Sequence, residues 1–377
     1  MNQNRMRVIV LRLAAWTVIW ASVSCRANDV TCVSVPAARP ARAKPIVGAI
    51  RMDAWQPGPF DSTHIAQLGP SQWRYRLPFY GTEVNSTRVA MNEATQAVMD
   101  QEIAYAHAAG LDFWCFNHNL TPVGALRESL NLYLSSTHKG DINFCLQMGA
   151  LGSRVTDAVN LMKTEPTYQK VLGGRPLVFL QTWYLNTYTP PQGKAEVDAF
   201  RAQVMQAGLP NPYIVAEGFG LASDAVAAAE RYGTDAISSY MMGVIAHKSV
   251  GQPFSQLAAN AEREWDSYKS TGKRVVPTVM TGWDPRPDTT RLGEPYWAQA
   301  TPQEIAAHLQ NALQWIGANS CAAEANVISI YAWNEITEGG WLLPSNPAFN
   351  PVGTGRLDAI ADVLRDSVPR SKLAPQR

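Results

Sequence analysis

The sequence predicts a single (β/α)8 barrel with elaborated loops at its C-terminal face, and three observations predict it. Eight short apolar runs rich in Val, Ile, Phe, Tyr and Trp recur along the 377 residues, near 46–53, 111–117, 142–148, 177–182, 213–218, 236–242, 275–281 and 327–333. Such runs read as strands buried on both faces, as in a parallel sheet. Helical patterns separate them, and no linker rich in Gly or Ser divides the alternation, which fits one barrel of ~250 residues or more. A doubly wound open sheet is the alternative, but no glycine-rich phosphate turn follows the first strand.

Taken in order, residues 1–27 read as an export signal: Arg5, Arg7 and Arg12 precede an apolar run from Leu13 to Val23, then small residues near Ser24 to Ala27. That run falls short of the ~20 residues a membrane span needs, so no span is expected. Cys25 allows a lipid-modified N-terminus, but the usual bulky aliphatic residue three positions before it is missing, and the reading favours an unanchored, secreted or periplasmic chain. Residues 28–44, with Pro36 and Pro40 among alanines, read as a disordered tether. The barrel is expected over 45–370. Within it, helical patterns at 91–109, 193–207 and 255–271 each stop at a glycine (Gly110, Gly208, Gly272), the usual helix C-terminal residue. Thr301-Pro302-Gln303-Glu304 has the threonine cap, first-turn proline and acid of a helix start. The last helix is expected at about 355–366.

Composition excludes several functions. The first 27 residues hold four arginines and no acid; without them, 28 basic residues face 31 acidic ones, a net charge of −3. No basic field remains for a nucleic acid. The five cysteines form no disulfide framework, and neither Cys-x-x-Cys nor His-x-x-x-His spacing suggests a metal. Cys115 and Cys145 sit in expected strands and could bridge if those strands are neighbours. No cofactor is expected, and a monomer is.

A barrel places its active site at the C-terminal ends of its strands. Those ends carry Asp53 and Trp55, then His118, then Trp183 and Tyr184, then Glu217, Tyr240, Trp283, Asp284 and Arg286, and finally Trp333, Asn334, Glu335, Glu338 and Trp341. Nearly every exit thus offers a hydrogen-bonding group or an aromatic ring, the groups that bind sugar hydroxyls and stack on pyranose faces. Glu335 and Glu338 are the expected catalytic pair. Glycoside cleavage uses two carboxyls, one protonated and one acting as base or nucleophile, and two acids in an aromatic lining push one pKa upward. The same spacing also serves a first-turn acid pair on a following helix. Glu217 is an alternative acid.

Trp333-Asn334-Glu335-Ile336-Thr337-Glu338-Gly339-Gly340-Trp341, with Gly355-Arg356-Leu357-Asp358 beyond and Trp283-Asp284-Pro285-Arg286-Pro287 before, resembles glycoside hydrolase families 71 and 99 and their WbsX-type relatives. The resemblance implies a (β/α)8 barrel acting on α-linked glycans such as α-mannosides or α-glucans. It further implies that Glu335 deprotonates a sugar 2-hydroxyl to form a 1,2-anhydro sugar, while Glu338 serves as acid and then base. Ile336-Thr337 departs from the aromatic and histidine that the mannosidase branch carries between its glutamates. A catalytically silent glycan-binding barrel and a WbsX-type glycan-assembly protein are the alternative readings.

Overall fold

The computed structural model describes residues 44–366 except 59–60, 119–124, 150, 186–188, 246 and 248. The expected export signal, nearly all of the tether, and the last residues of the expected barrel domain lie outside the described residues.

Eight parallel strands form the barrel: β1 Ile46–Arg51, β2 Phe113–Asn117, β3 Asn143–Met148, β4 Arg175–Gln181, β5 Tyr213–Gly218, β6 Ala236–Ser239, β7 in two segments, Arg274–Val275 and Thr278–Met280, and β8 Val327–Tyr331. They pair in sequence from β1 to β6, and β8 returns beside β1. The expected seventh strand, 275–281, is interrupted at Pro277, which has no N–H to give the ladder. Its first segment pairs with β6 and its second with β8. The Pro277 carbonyl still accepts from Ser329 N at 3.1 Å, so the sheet closes through the break.

A helix follows each strand: α1 Gln96–Ala108, α2 Ala125–Ser135, α3 Val155–Thr164, α4 Pro190–Gln206, α5 Ala222–Tyr232, α6 Phe254–Ser270, α7 Pro302–Ala318 and α8 Gly355–Asp366. α7 starts at the expected box, Thr301 Oγ1 accepting from Glu304 N while Glu304 accepts from Thr301 N. α1 begins five residues later than the pattern suggested, because Thr95 caps it by accepting from Val98 N. α4 begins three residues earlier, at a Thr189–Gln192 capping box followed by Pro190.

Strand alternation sorts the core into two parts. Phe113, Cys115, Cys145, Phe179, Val215, Val276 and Val327 fill the barrel interior. The other strand face packs with the helices in a larger apolar layer. Cys115 and Cys145 stand side by side on β2 and β3, as the neighbouring-strand condition required, but both are free thiols. Among the described residues, no helix is long and apolar enough to cross a membrane.

Candidate active site

β8 ends at Tyr331 and delivers the chain into a small hairpin. Asn334–Glu335 pairs antiparallel with Gly340–Trp341, and Ile336 to Gly339 form its tip. Gly339 has φ +82°, a conformation glycine adopts freely, and a Cβ there would lie 2.8 Å from Asp284 N. The close approach lets Asp284 N donate to Glu338 O at 2.6 Å. The acid pair therefore sits on a tight hairpin, not on the first turn of a helix.

Each glutamate has its own tyrosine. Tyr240, just past β6, donates to Glu335 Oε1, and Tyr331, the last residue of β8, donates to Glu338 Oε2. The two tyrosine rings meet edge-on at 5.4 Å. Glu338 also accepts from Arg291, which binds Glu294 with two further bonds of 2.8 Å. The two carboxyls thus differ in environment. Burial first, and the Glu338 charge second, hold the Glu335 carboxyl well above the ordinary range. Glu338 carries the ion pair with Arg291. Burial works against the Arg291 charge, but its bonds to Glu294 and Glu338 outweigh that and strengthen its hold on the proton. The cleft over the pair has a volume of about 90 Å³, and Met52, Trp55, His64, Gln67 and Thr337 help to line it.

The expected sugar contacts divide by placement. Trp55 lines the cleft and donates Nε1–H to Asn334 O at 2.9 Å. Asp53 is buried beneath, accepting from Asn334 Nδ2 at 3.1 Å and pairing with Arg51 at 2.7 Å; Asn334 Oδ1 accepts from Met52 N at 2.7 Å. Asp53 and Asn334 thereby lock the β1 exit to the β8 exit rather than face the cleft. Asp284 is held between Arg76 at 2.6 Å and Arg286 at 2.6 Å, and Arg286 lies 3.5 Å over the Tyr296 ring. Trp283 packs on Tyr331 at 5.8 Å and lies under Arg291 at 5.3 Å. Trp333 and Trp341 are core residues: Trp333 packs on Trp114 at 5.0 Å and donates to Glu102, while Arg356 covers Trp341 at 3.9 Å.

Of the remaining predicted residues, His118, Trp183 and Glu217 do not line that cleft. His118 faces Asp157 at 3.3 Å, and burial lowers its pKa to about 4, so it is neutral at physiological pH. Trp183 packs on Phe219 at 4.0 Å with the rings tilted by 33°, and meets Tyr240 edge-on at 5.7 Å. The side chain of Tyr184 lies outside the described residues. Glu217 is fully buried inside the barrel, accepting from Gln147 Nε2 at 2.7 Å, and burial lifts its carboxyl to about 8.

Three supporting residues escaped the sequence reading. Tyr331 could have been found by alternation, since Val327 and Tyr331 share one strand face. Arg291 lies 47 positions from Glu338 and carries no local signal. Arg76, in a 3-10 turn at Ser71–Arg76, donates to three carbonyls, Asp284 O at 2.9 Å, Ile336 O at 3.3 Å and Thr337 O at 3.1 Å, and so pins the hairpin. Among the described residues no group of His, Cys, Asp and Glu could hold a metal ion.

The chain folds as a closed (β/α)8 barrel that carries two unlike carboxyls on the hairpin after β8. Residues 156–350, just over half of the chain, match the family described as Glycosyltransferase WbsX, and the chain belongs to that family. It is similar in fold to a glycoside hydrolase-like protein, with a TM-score of 0.57 at 12% identity, covering 90% of this chain and 98% of that one. It is similar also to the GH99 endo-α-mannosidase from Bacteroides thetaiotaomicron in complex with bis-tris-propane, with a TM-score of 0.57 at 16% identity, covering 85% of this chain and 96% of that one. Comparison with curated proteins gave no match.

Proposed function

We propose that the protein is an exported glycoside hydrolase that cleaves an α-linked glycan of the mannoside or glucan type with Glu335 and Glu338. The carrying observation is the unlike pair: one buried carboxyl pushed well above its ordinary range by burial and by the Glu338 charge, beside one that is ion-paired to Arg291. Glycoside cleavage needs this division of labour. Glu335 donates its proton to the leaving oxygen, and Glu338 takes the proton of the attacking hydroxyl, either water or the sugar's own 2-hydroxyl. These roles are the reverse of those the family resemblance implied, and the resting environments of the two groups support the reversal. The family description favours a second reading, in which the same pair passes the glycosyl unit to a sugar hydroxyl instead of water.

The test is a panel of α-mannans, α-glucans and aryl α-glycosides, assayed with the parent, Glu335→Gln and Glu338→Gln. An aryl glycoside with a good leaving group needs little acid assistance. Glu335→Gln should therefore retain far more activity on it than on a natural glycan, whereas Glu338→Gln should lose both alike. Equal losses in both variants on both substrates would overturn the assignment. Added acceptor sugars, with products analysed by mass, separate hydrolysis from transfer. Intact mass of the mature protein checks export by showing loss of residues 1–27.

A further inference from the structure

We infer that Glu93, in the segment leading into α1, is a positioning residue for the cleft, and that it works as a neutral carboxylic acid whose proton completes a buried cluster with Arg51, Asp53 and Glu102. The positioning role rests on the glycan-cleaving reading above; the protonation does not. Glu93 holds one wall of the cleft from behind. Its Oε1 accepts from Trp55 N at 2.9 Å, and its own N donates to Trp55 O at 3.0 Å. Trp55 lines the cleft, and its ring N–H donates to the carbonyl of Asn334, the residue before Glu335. Glu93 thus grips the backbone of Trp55 while the hairpin after β8 grips its ring.

Three carboxyls meet one cation behind that wall. Asp53, Glu93, Glu102 and Arg51 are all buried. Arg51 reaches Asp53 at 2.7 Å and Glu102 at 2.6 Å, and its guanidinium lies 4.4 Å over the Trp114 ring. The same two acids have a further donor each, Asn334 Nδ2 at Asp53 and Trp333 Nε1 at Glu102. Glu93 has no share in the guanidinium. Among the described residues its side chain is bonded by Trp55 N, and its Oε2 has no partner. With every acid ionised, the three carboxylates would face the single charge of Arg51. A buried carboxylate without a counter-charge gives up its charge instead of bearing that cost. The balancing charge is a proton, because among the described residues no group of acids is arranged to hold a metal ion.

That proton belongs on Glu93. Burial first, then the charges of Asp53 and Glu102, push its carboxyl well above the ordinary range, against the opposing pull of Arg51. Burial raises Glu102 as well, but there the Arg51 charge is the next largest influence and works against the shift. Tyr80, the phenol that faces the same acids, is raised by burial and then by Glu93, and stays neutral. A neutral Glu93 also suits the hydrogen bonds. Its carbonyl oxygen accepts from Trp55 N, and its O–H supplies a donor among acceptors. Asp53 Oδ2 and Glu102 Oε1 are both buried without a hydrogen-bond partner among the described residues. An ionised Glu93 would add one more acceptor to them.

Glu93→Gln keeps the accepting oxygen and puts an N–H donor in place of the acid O–H, whereas Glu93→Ala removes both. On an aryl α-glycoside or glycan that the parent cleaves, Glu93→Ala should lower kcat/KM on the order of tenfold, the scale of a lost buried hydrogen bond, chiefly through KM. Glu93→Gln should recover most of that loss. A Gln variant as impaired as the Ala variant would show that the ionised form is needed and overturns the inference, as does an Ala variant with the parent's KM. Infrared difference spectra of the parent against Glu93→Gln at pH 7 read the proton directly and need no substrate. A protonated-carboxyl band present in the parent and missing from Glu93→Gln supports the inference even if the parent cleaves nothing. Absence of that band from the difference overturns it and leaves the hydrolase reading intact. The infrared comparison and the Gln variant decide the matter if circular dichroism shows Glu93→Ala to be unfolded.

Discussion

At the scale of single residues, the site turns on which carboxyl keeps its proton. Burial raises the Glu335 pKa most, and the Tyr240 hydrogen bond works in the opposite direction by favouring the carboxylate. A proton donor loses activity as pH rises through its pKa, so in the proposed reading Glu335 sets the alkaline limb of the pH profile. Tyr240→Phe removes a bond that stabilises the charged form. The alkaline limb of kcat/KM should move upward by about one pH unit, the equivalent of one hydrogen bond to a charged group. A limb that moves downward, or stays put, would show that Glu335 is not the titrating donor. Asp284 makes the complementary point. An acid at a strand end reads as a sugar ligand, yet two arginines hold it, and its service is to fix the backbone under Glu338.

At the scale of elements, the hairpin after β8 is positioned by close approach as much as by bonds. A Cβ on Gly340 would lie 2.3 Å from the Tyr331 ring, and one on Gly282 would lie 2.0 Å from Gly339 O. Both contacts are far inside van der Waals distance, so something must shift. Gly340→Ala should displace the Tyr331 ring from Glu338 and lower kcat at least tenfold, with helix content by circular dichroism unchanged. Thr301→Ala is the contrasting variant. It removes the α7 cap, remote from the pair, and should cost about 1 kcal/mol of stability, read as a lower thermal midpoint, while kcat stays near the parent value. A Gly340→Ala enzyme of full activity would show that turnover does not depend on the hairpin geometry.

At the scale of the whole molecule, stability should depend on a carboxyl inside the barrel. Glu217 has a folded pKa of about 8, raised by burial. Between its ordinary value, near 4.5, and about 8, the folded state holds a proton that the unfolded state has lost. Stability therefore falls as pH rises through that window. A tenfold difference in proton affinity between the folded and unfolded states is worth about 1.4 kcal/mol, so the decline is on the order of a few kcal/mol. Burial also lowers His118 to about 4, which adds stability as pH rises from there toward the ordinary histidine range. Glu217→Gln keeps the shape and cannot ionise. Urea midpoints should show it close to the parent at pH 5 and clearly more stable at pH 8. Equal midpoints at both pH values would mean that the parent relieves the buried charge in another way.

Much of this was legible in the chain because the signals are local. Runs of branched apolar residues mark β1 to β8, a threonine, proline and acid mark the start of α7, and two acids beside glycines mark the hairpin. The residues that set the site's electrostatics are distant in sequence: Tyr240 is 95 positions from Glu335, and Arg291 is 47 from Glu338. No periodicity connects such pairs. The tryptophans misled for a related reason, since a ring at a strand end suits a sugar or a core equally, and Trp333 and Trp341 went to the core once Trp114 and Arg356 were beside them.

By itself, then, the sequence determined the barrel, the place of the acid pair at its eighth strand, and the likeness to glycan-cleaving barrels, because hydrophobic period and turn chemistry act over a few residues. The tertiary structure decided which acid burial shifts toward its protonated form, and which polar residues face the cleft and which hold it up. Those outcomes depend on burial and on charges brought within hydrogen-bond reach, and both exist only once the barrel has closed.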